Sequence, residues 1–128
     1  MVQMTDMFSG FSVNDVEAAQ KFYRDVIGLK VESAGMGNYA IQLPQGGIIL
    51  FYPKENHVPA TYTILNFEVP DIDVAADELI GKGVTFEQYD EMPWQDEKGI
   101  GRGKQANMGP DIAWFTDPAG NILSILSS

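Results

Sequence analysis

The stretch Phe11–Tyr23, FSVNDVEAAQKFY, returns in altered form as Phe67–Leu79, FEVPDIDVAADEL. Phe11 aligns with Phe67, Val13 with Val69, Asp15 with Asp71 and Ala19 with Ala75, each displaced by 56 residues. A repeat of this length marks a duplicated supersecondary unit and constrains architecture more firmly than local propensity does. In the first copy, Met7–Val13 reads as a strand, with Phe8, Gly10 and Ser12 on one face and Ser9, Phe11 and Val13 on the other. Asn14 is a good helix N-cap, and Glu17 three residues on resembles the acidic half of a capping box. Val16, Ala19, Phe22, Tyr23, Val26 and Ile27 repeat at helical spacing, and Gly28 stands where a glycine ends a helix.

Working outward, three short strands follow at about 30–33, 38–43 and 47–52, with PQGG as the turn between the last two. PKENHVPAT is polar and proline-bounded, so it reads as a linker. The second copy then opens with the strand TYTILNFEV. Its helix, PDIDVAADELIGKGV, carries Ile72, Ala75, Ala76, Leu79 and Ile80 on one stripe, and VTFEQYD after it reads as extended. At the C-terminus, DIAWFTDPAGNILSILSS folds two apolar runs about Asp117–Asn121. Ile122, Ser124 and Leu126 take one face of the final run, and Leu123, Ile125 and Ser127 the other. Between Asp90 and Pro110 lie 21 residues with no sustained period. A segment this long is expected to be functional, and Met92, Trp94, Ile100 and Met108 give it the anchors of a lid.

Composition narrows the function classes. The 128 residues suit a single domain burying roughly two-thirds of its unfolded surface. A net charge of −10 with only eight basic residues excludes nucleic acid, which requires clustered Lys and Arg. No cysteine is present, so thiolate nucleophiles and Cys-ligated zinc are excluded. No signal peptide and no membrane-spanning run is visible, and a soluble cytoplasmic protein is expected. His57 is the only histidine and lies in the linker, where a solvated side chain is the ordinary outcome. It has no placed partners for a Ser-His-Asp set. Gly99, Gly101 and Gly103 lack the preceding strand and following helix of a phosphate-binding loop.

The doubled βαβββ pattern, V-x-D before each helix, FY inside the first helix and the closing DPAGN hairpin together resemble the vicinal oxygen chelate superfamily. That group holds glyoxalase I, extradiol dioxygenases, fosfomycin-resistance enzymes and bleomycin-resistance proteins. The resemblance spans essentially the whole chain. It implies an α+β fold in which two tandem βαβββ modules form a curled mixed half-barrel with the helices outside. Module one would cover about 7–53, a linker about 54–60 and module two about 61–128. Catalytic members hold one divalent metal on four inward positions, which fall here at Phe8, Leu50, Ile64 and Ser124. Three of these four side chains have no lone pair to offer, so no metal and no cofactor is expected.

With no metal, the same concavity becomes an apolar pocket with a few polar groups, the usual form of a small-molecule site. Its expected lining is Phe8, Gly10, Leu50, Tyr52, Ile64, Asn66, Trp114 and Ser124, with Arg102 and Lys104 closing over an anion and Trp94 either capping the ligand or pinning the loop to the barrel or a dimer partner. Asn66 is the telling member, because asparagine is unfavourable in mid-strand and needs a partner if it faces inward. The leading expectation is a metal-free binder of a small organic molecule, a homodimer resembling the bleomycin-resistance proteins. The alternatives are an enzyme of glyoxalase or dioxygenase type, a lyase or oxidoreductase with a displaced or absent metal site, and a structural domain with a filled barrel.

Overall fold

The computed structural model describes all 128 residues, in two compact units, Met1–Pro59 and Ala60–Ser128. In unit one, β1 (Ser9–Val13) leads into α1 (Val16–Lys21), which continues as a π-helical turn over Phe22–Val26. Strands β2 (Val31–Gly35), β3 (Asn38–Gln42) and β4 (Ile48–Pro53) follow. They form a four-stranded sheet in the order β1-β4-β3-β2, with β1 and β4 parallel and the other pairs antiparallel.

Unit two repeats this plan. β5 (Thr63–Glu68) precedes α2 (Ile72–Gly81), and β6 (Gly101–Arg102), β7 (Asp111–Thr116) and β8 (Ile122–Ser127) complete a sheet ordered β5-β8-β7-β6. A four-residue helix, α3 (Gly103–Ala106), joins β6 to the turn before β7. The α+β class and the duplication read from the sequence both hold. The strands form two four-stranded sheets, and no closed barrel is present. No helix is long and apolar enough to cross a membrane.

The duplication extends to the helix caps. Asp15 accepts hydrogen bonds from the amides of Glu17 and Ala18, both at 3.1 Å. Asp71 does the same for Asp73 and Val74, at 3.0 and 3.2 Å. The cap expected at Asn14 is therefore Asp15, one residue later, and no capping box with Glu17 forms. The short Asp side chain on an extended backbone reaches two donors that the first turn leaves without partners. Both helices end on glycine at positive φ, Gly28 at 88° and Gly83 at 95°. After α2, the amides of Gly83 and Val84 close back onto the Ile80 and Leu79 carbonyls, each at 3.0 Å, which satisfies two terminal carbonyls.

Each sheet buries one face under its own helix. In unit one that face carries Val13, Ile41 and Phe51, covered by Ala19 and Tyr23 of the helix. Phe51 sits between Phe11, Tyr23 and Tyr39, with ring centroids 5.6–5.7 Å away. In unit two α2 packs on β7 and β8, and Ile72, Ala76 and Leu79 are buried there with Ala113, Phe115, Leu123 and Ile125. Ile80, expected on that stripe, is exposed.

Residues 84–89, expected to be extended, form no strand. Their one ladder bond runs from the Glu87 amide to the Trp114 carbonyl at 2.8 Å, and Phe86 is buried against Phe115. The 90–110 segment, expected as an irregular lid, supplies β6, the counterpart of β2 in the first sheet. Ile100 is its fully buried anchor, while Met108 is exposed and anchors nothing.

Candidate functional site

Strand register divides the expected site residues among three places. In unit one Gly10 pairs with Leu50 and Ser12 with Tyr52, so these residues face away from α1, opposite Phe51. Phe8 precedes β1 with the same parity and is 58% exposed, while Leu50 is half-buried and Tyr52 is exposed. This open face of the first sheet is therefore apolar and aromatic. His57 lies against it rather than in solvent: its Nδ1 is 2.6 Å from the Ser12 hydroxyl. Sequence reasoning missed this pair because no spacing rule links a strand serine to a histidine 45 residues on.

In unit two Ser124 pairs with Asn66 on one side and Trp114 on the other, so these three side chains form one row across β5, β8 and β7. Their face is opposite Leu123 and Ile125, hence opposite α2. Ser124 is fully buried, and its hydroxyl donates to the Asn66 Oδ1 at 2.6 Å. A buried hydroxyl without a partner would cost about 1–3 kcal/mol, so this bond fixes the carboxamide. With its oxygen held by Ser124, exposed Asn66 leaves its amide N–H groups open to solvent. The Trp114 indole N–H donates to Thr63 Oγ1 at 3.2 Å, and the ring meets Tyr89 edge-on at 5.4 Å. Burial, reinforced by Glu87 and Glu91, pushes the Tyr89 hydroxyl above its ordinary pKa. Thr63 and Tyr89 are thus site neighbours that alternation alone did not reveal. Ile64 is half-buried at a register shift between Thr63 and Leu65. The bulge takes it out of the simple alternation that had aligned it with Asn66.

Trp94 and Arg102 belong elsewhere. Arg102 pairs with Asp111, which pairs with Ser127, and this parity belongs to the face under α2. The guanidinium bonds Asp73 of α2 at 2.7 and 3.1 Å and Asp96 at 3.1 Å, with Asp111 at 3.8 Å. Lys98 reaches Asp77 of the same helix at 2.8 Å. Arg102 is committed to carboxylates, so the expected closure over an anion is replaced by an ion-pair clasp between α2 and the 90–110 segment, which forms a strap along it. Trp94 lines a pocket on this side with Arg102, not the row of Asn66, Ser124 and Trp114.

The clasp has a pH signature. Its hydrogen bonds to Arg102 hold the Asp73 carboxyl below the ordinary aspartate value of 3.8. A depressed carboxylate stabilises the fold above its unfolded pKa and loses that contribution as pH falls through the folded value. The strap is therefore expected to loosen only below about pH 4. Asp73→Asn should cost about 1 kcal/mol at neutral pH, a figure reduced for its half-exposed position, and should flatten the acid limb. Thermal melts of both proteins between pH 2.5 and 7 check this. An unchanged acid limb in the variant would assign the transition to other carboxylates.

No set of three or more His, Cys, Asp or Glu side chains is placed to hold a metal ion. Phe8, Leu50, Ile64 and Ser124 supply neither imidazole nor carboxylate.

Residues 7–41 match the family model described as bleomycin resistance protein-like N-terminal. No curated protein matches the chain. Among solved structures, an integron cassette protein from the mobile metagenome of the Halifax Harbour sewage outfall superposes with a TM-score of 0.69 at 16% identity, over 98% of this chain and 100% of that one. TnmS3, an antibiotic binding protein from a Streptomyces species, gives 0.65 at 20% identity, over 99% and 98%. A member of the glyoxalase/bleomycin resistance protein/dioxygenase superfamily from Sphaerobacter thermophilus gives 0.66 at 23% identity, over 98% of each. The chain thus has the vicinal oxygen chelate fold, that of the glyoxalase, bleomycin-resistance protein and dioxygenase superfamily, and its N-terminal region carries the bleomycin-resistance-protein-like match.

Proposed function

We propose that this protein binds a small organic molecule, without a metal, on the open sheet face of unit two, with Asn66 as its polar anchor. The observation that carries the reading is the Ser124–Asn66 bond, which turns the metal position into an orienting contact for an outward-facing amide. Glu68, two residues along β5, shares this face, where Trp114, Ile112 and Leu126 supply apolar surface, and a few polar groups on such a surface orient ligands. The antibiotic-binding neighbour is a precedent for a binder on this fold. Phe8, Leu50 and Tyr52 present an apolar face in unit one that suits the same type of ligand.

The test uses Asn66→Asp. Aspartate keeps an acceptor for Ser124 but replaces the outward N–H donors with a carboxylate oxygen, so folding survives while ligand recognition does not. A thermal-shift screen of flat and polycyclic antibiotics against dialysed protein should give hits that this variant loses at least tenfold. Elemental analysis should find no stoichiometric divalent ion. Hits indifferent to Asn66, or a metal bound at Ser124, would overturn the reading.

The same chemistry favours a homodimer. Strands β1 and β2 edge the first sheet and β5 the second, whose β6 edge is covered by residues 94–96, and natural sheets cover or pair such edges. Exposed Met7, Phe8 and Tyr52 add apolar surface beside β1 and on its partner β4. Sedimentation at micromolar concentration is expected to give twice the 14.1 kDa chain mass, and a monomer throughout would refute it.

A further inference from the structure

We propose a second ligand site in unit two, on the helix side of its sheet, that takes a flat aromatic molecule bearing no negative charge. Here Trp94 and Asp96 of the strap, Arg102 of β6 and Gln105 of α3 line an open pocket of about 330 Å³, with Pro93 and Ala106 as apolar walls. That volume suits a ligand of two or three fused rings.

The hydrogen-bond accounting selects the ligand. Asp96 Oδ1 accepts the Lys98 and Ile100 amides at 3.0 and 2.9 Å, and Oδ2 accepts Arg102 Nε. Arg102 gives its remaining edge to Asp73. Gln95, also in the lining, donates to the Glu87 and Gly99 carbonyls and accepts from the Tyr89 amide. Those groups are spent on the protein itself. Two remain open: the Trp94 indole N–H and the Gln105 carboxamide, neither of which is hydrogen-bonded within the chain.

Charge and shape complete the selection. Asp73, Asp77, Asp96 and Asp111 outnumber Arg102, Lys98 and Lys104 around this side, and Arg102 and Lys98 are held by those carboxylates, so no cation is left to attract an anion. A guanidinium whose edges are held by carboxylates can offer a ligand only its flat face, which stacks on aromatic rings. Trp94 supplies an aromatic surface in the same pocket, and Gln105 can both donate to and accept from a ring heteroatom. This site lies at the β6 edge of the sheet, the far edge from Asn66 on β5, and does not depend on ligand binding there.

The experiment reads Trp94 alone in a Trp114→Phe background, which removes the chain's only other indole. Proflavine, a cationic tricyclic ring, should quench Trp94 saturably, and acridine-9-carboxylate should bind at least tenfold more weakly. Ala106→Phe, which fills the pocket, should abolish saturation. Gln105→Ala, an exposed change that spares the fold, should weaken proflavine about tenfold and decides the matter if Ala106→Phe misfolds. Linear quenching, equal binding of the two probes, or indifference to Gln105 would overturn the site.

Discussion

Replacing Phe51 with alanine is expected to lower the stability of the N-terminal unit by about 3–5 kcal/mol. The ring is fully buried at the centre of β4, and three other aromatic rings close on it from β1, β3 and the helix. Those neighbours are held by strands on both sides of β4, so the cavity cannot collapse, and the lost transfer energy is joined by the cost of the void. Aromatic pairing adds about 0.5–1.5 kcal/mol per contact beyond burial. A loss of this size is a large share of the 5–15 kcal/mol typical of a folded domain. Tyr52→Ala, one residue along the same strand, is the control. Its side chain lies on the open face, 36% exposed, and its removal should cost about 1 kcal/mol or less. Denaturant melts of the two variants measure which face of β4 is the core. Equal losses would mean that the open face of the first sheet is covered as completely as the helix side, and the apolar surface of Phe8, Leu50 and Tyr52 would not be free to meet a ligand.

That contrast also marks where the sequence was legible. The two-residue period put Leu50 and Tyr52 on one face, and the repeat at Asp15 and Asp71 foretold two copies of one sheet and helix, although the first cap falls at Asp15 rather than Asn14. Those features follow from local periodicity and cap chemistry, which act over a few residues. Asn66, Ser124 and Trp114 all stood in the expected lining, and strand register sets the three in one row. Legibility ended at three kinds of place. At Ile64 a register shift broke the alternation. At Ser12 and His57 two polar residues met through the path of the chain. At Arg102 the strap hid a two-residue strand too short to show a period, and its parity sent the side chain to α2 instead of the open face. In each case a tertiary constraint replaced a local one.

The second large effect belongs to the strap, and it comes from a glycine. In Gly103→Ala the new Cβ would overlap the Pro110 carbonyl oxygen and lie 2.9 Å from that of Gly109. Every close atom is backbone, so no rotamer change relieves the clash, and the turn between α3 and β7 must open. That turn carries the Met108 amide on the Gly103 carbonyl at 2.7 Å and the Lys104 amide on Asp111 at 3.1 Å. It also sets the two residue pairs that make β6 a strand. The expected cost is about 3 kcal/mol or more, the range reserved for backbone strain and overpacking. Gly81→Ala supplies the opposite case. It ends α2 with ordinary φ and nothing within 4 Å of a new Cβ, so alanine should add about 0.4–1 kcal/mol by restricting the unfolded chain. Because Arg102, Gln105 and Ala106 flank Gly103, the damaged strap should also lose saturable proflavine binding while the buried face under α2 stays intact. Hydrogen exchange resolves the two regions. Protection should fall across 101–110 in Gly103→Ala and persist in β8. If β8 exchanged equally fast, the strap would be part of one cooperative unit with the sheet, and the helix-side pocket could not open or close independently of the core.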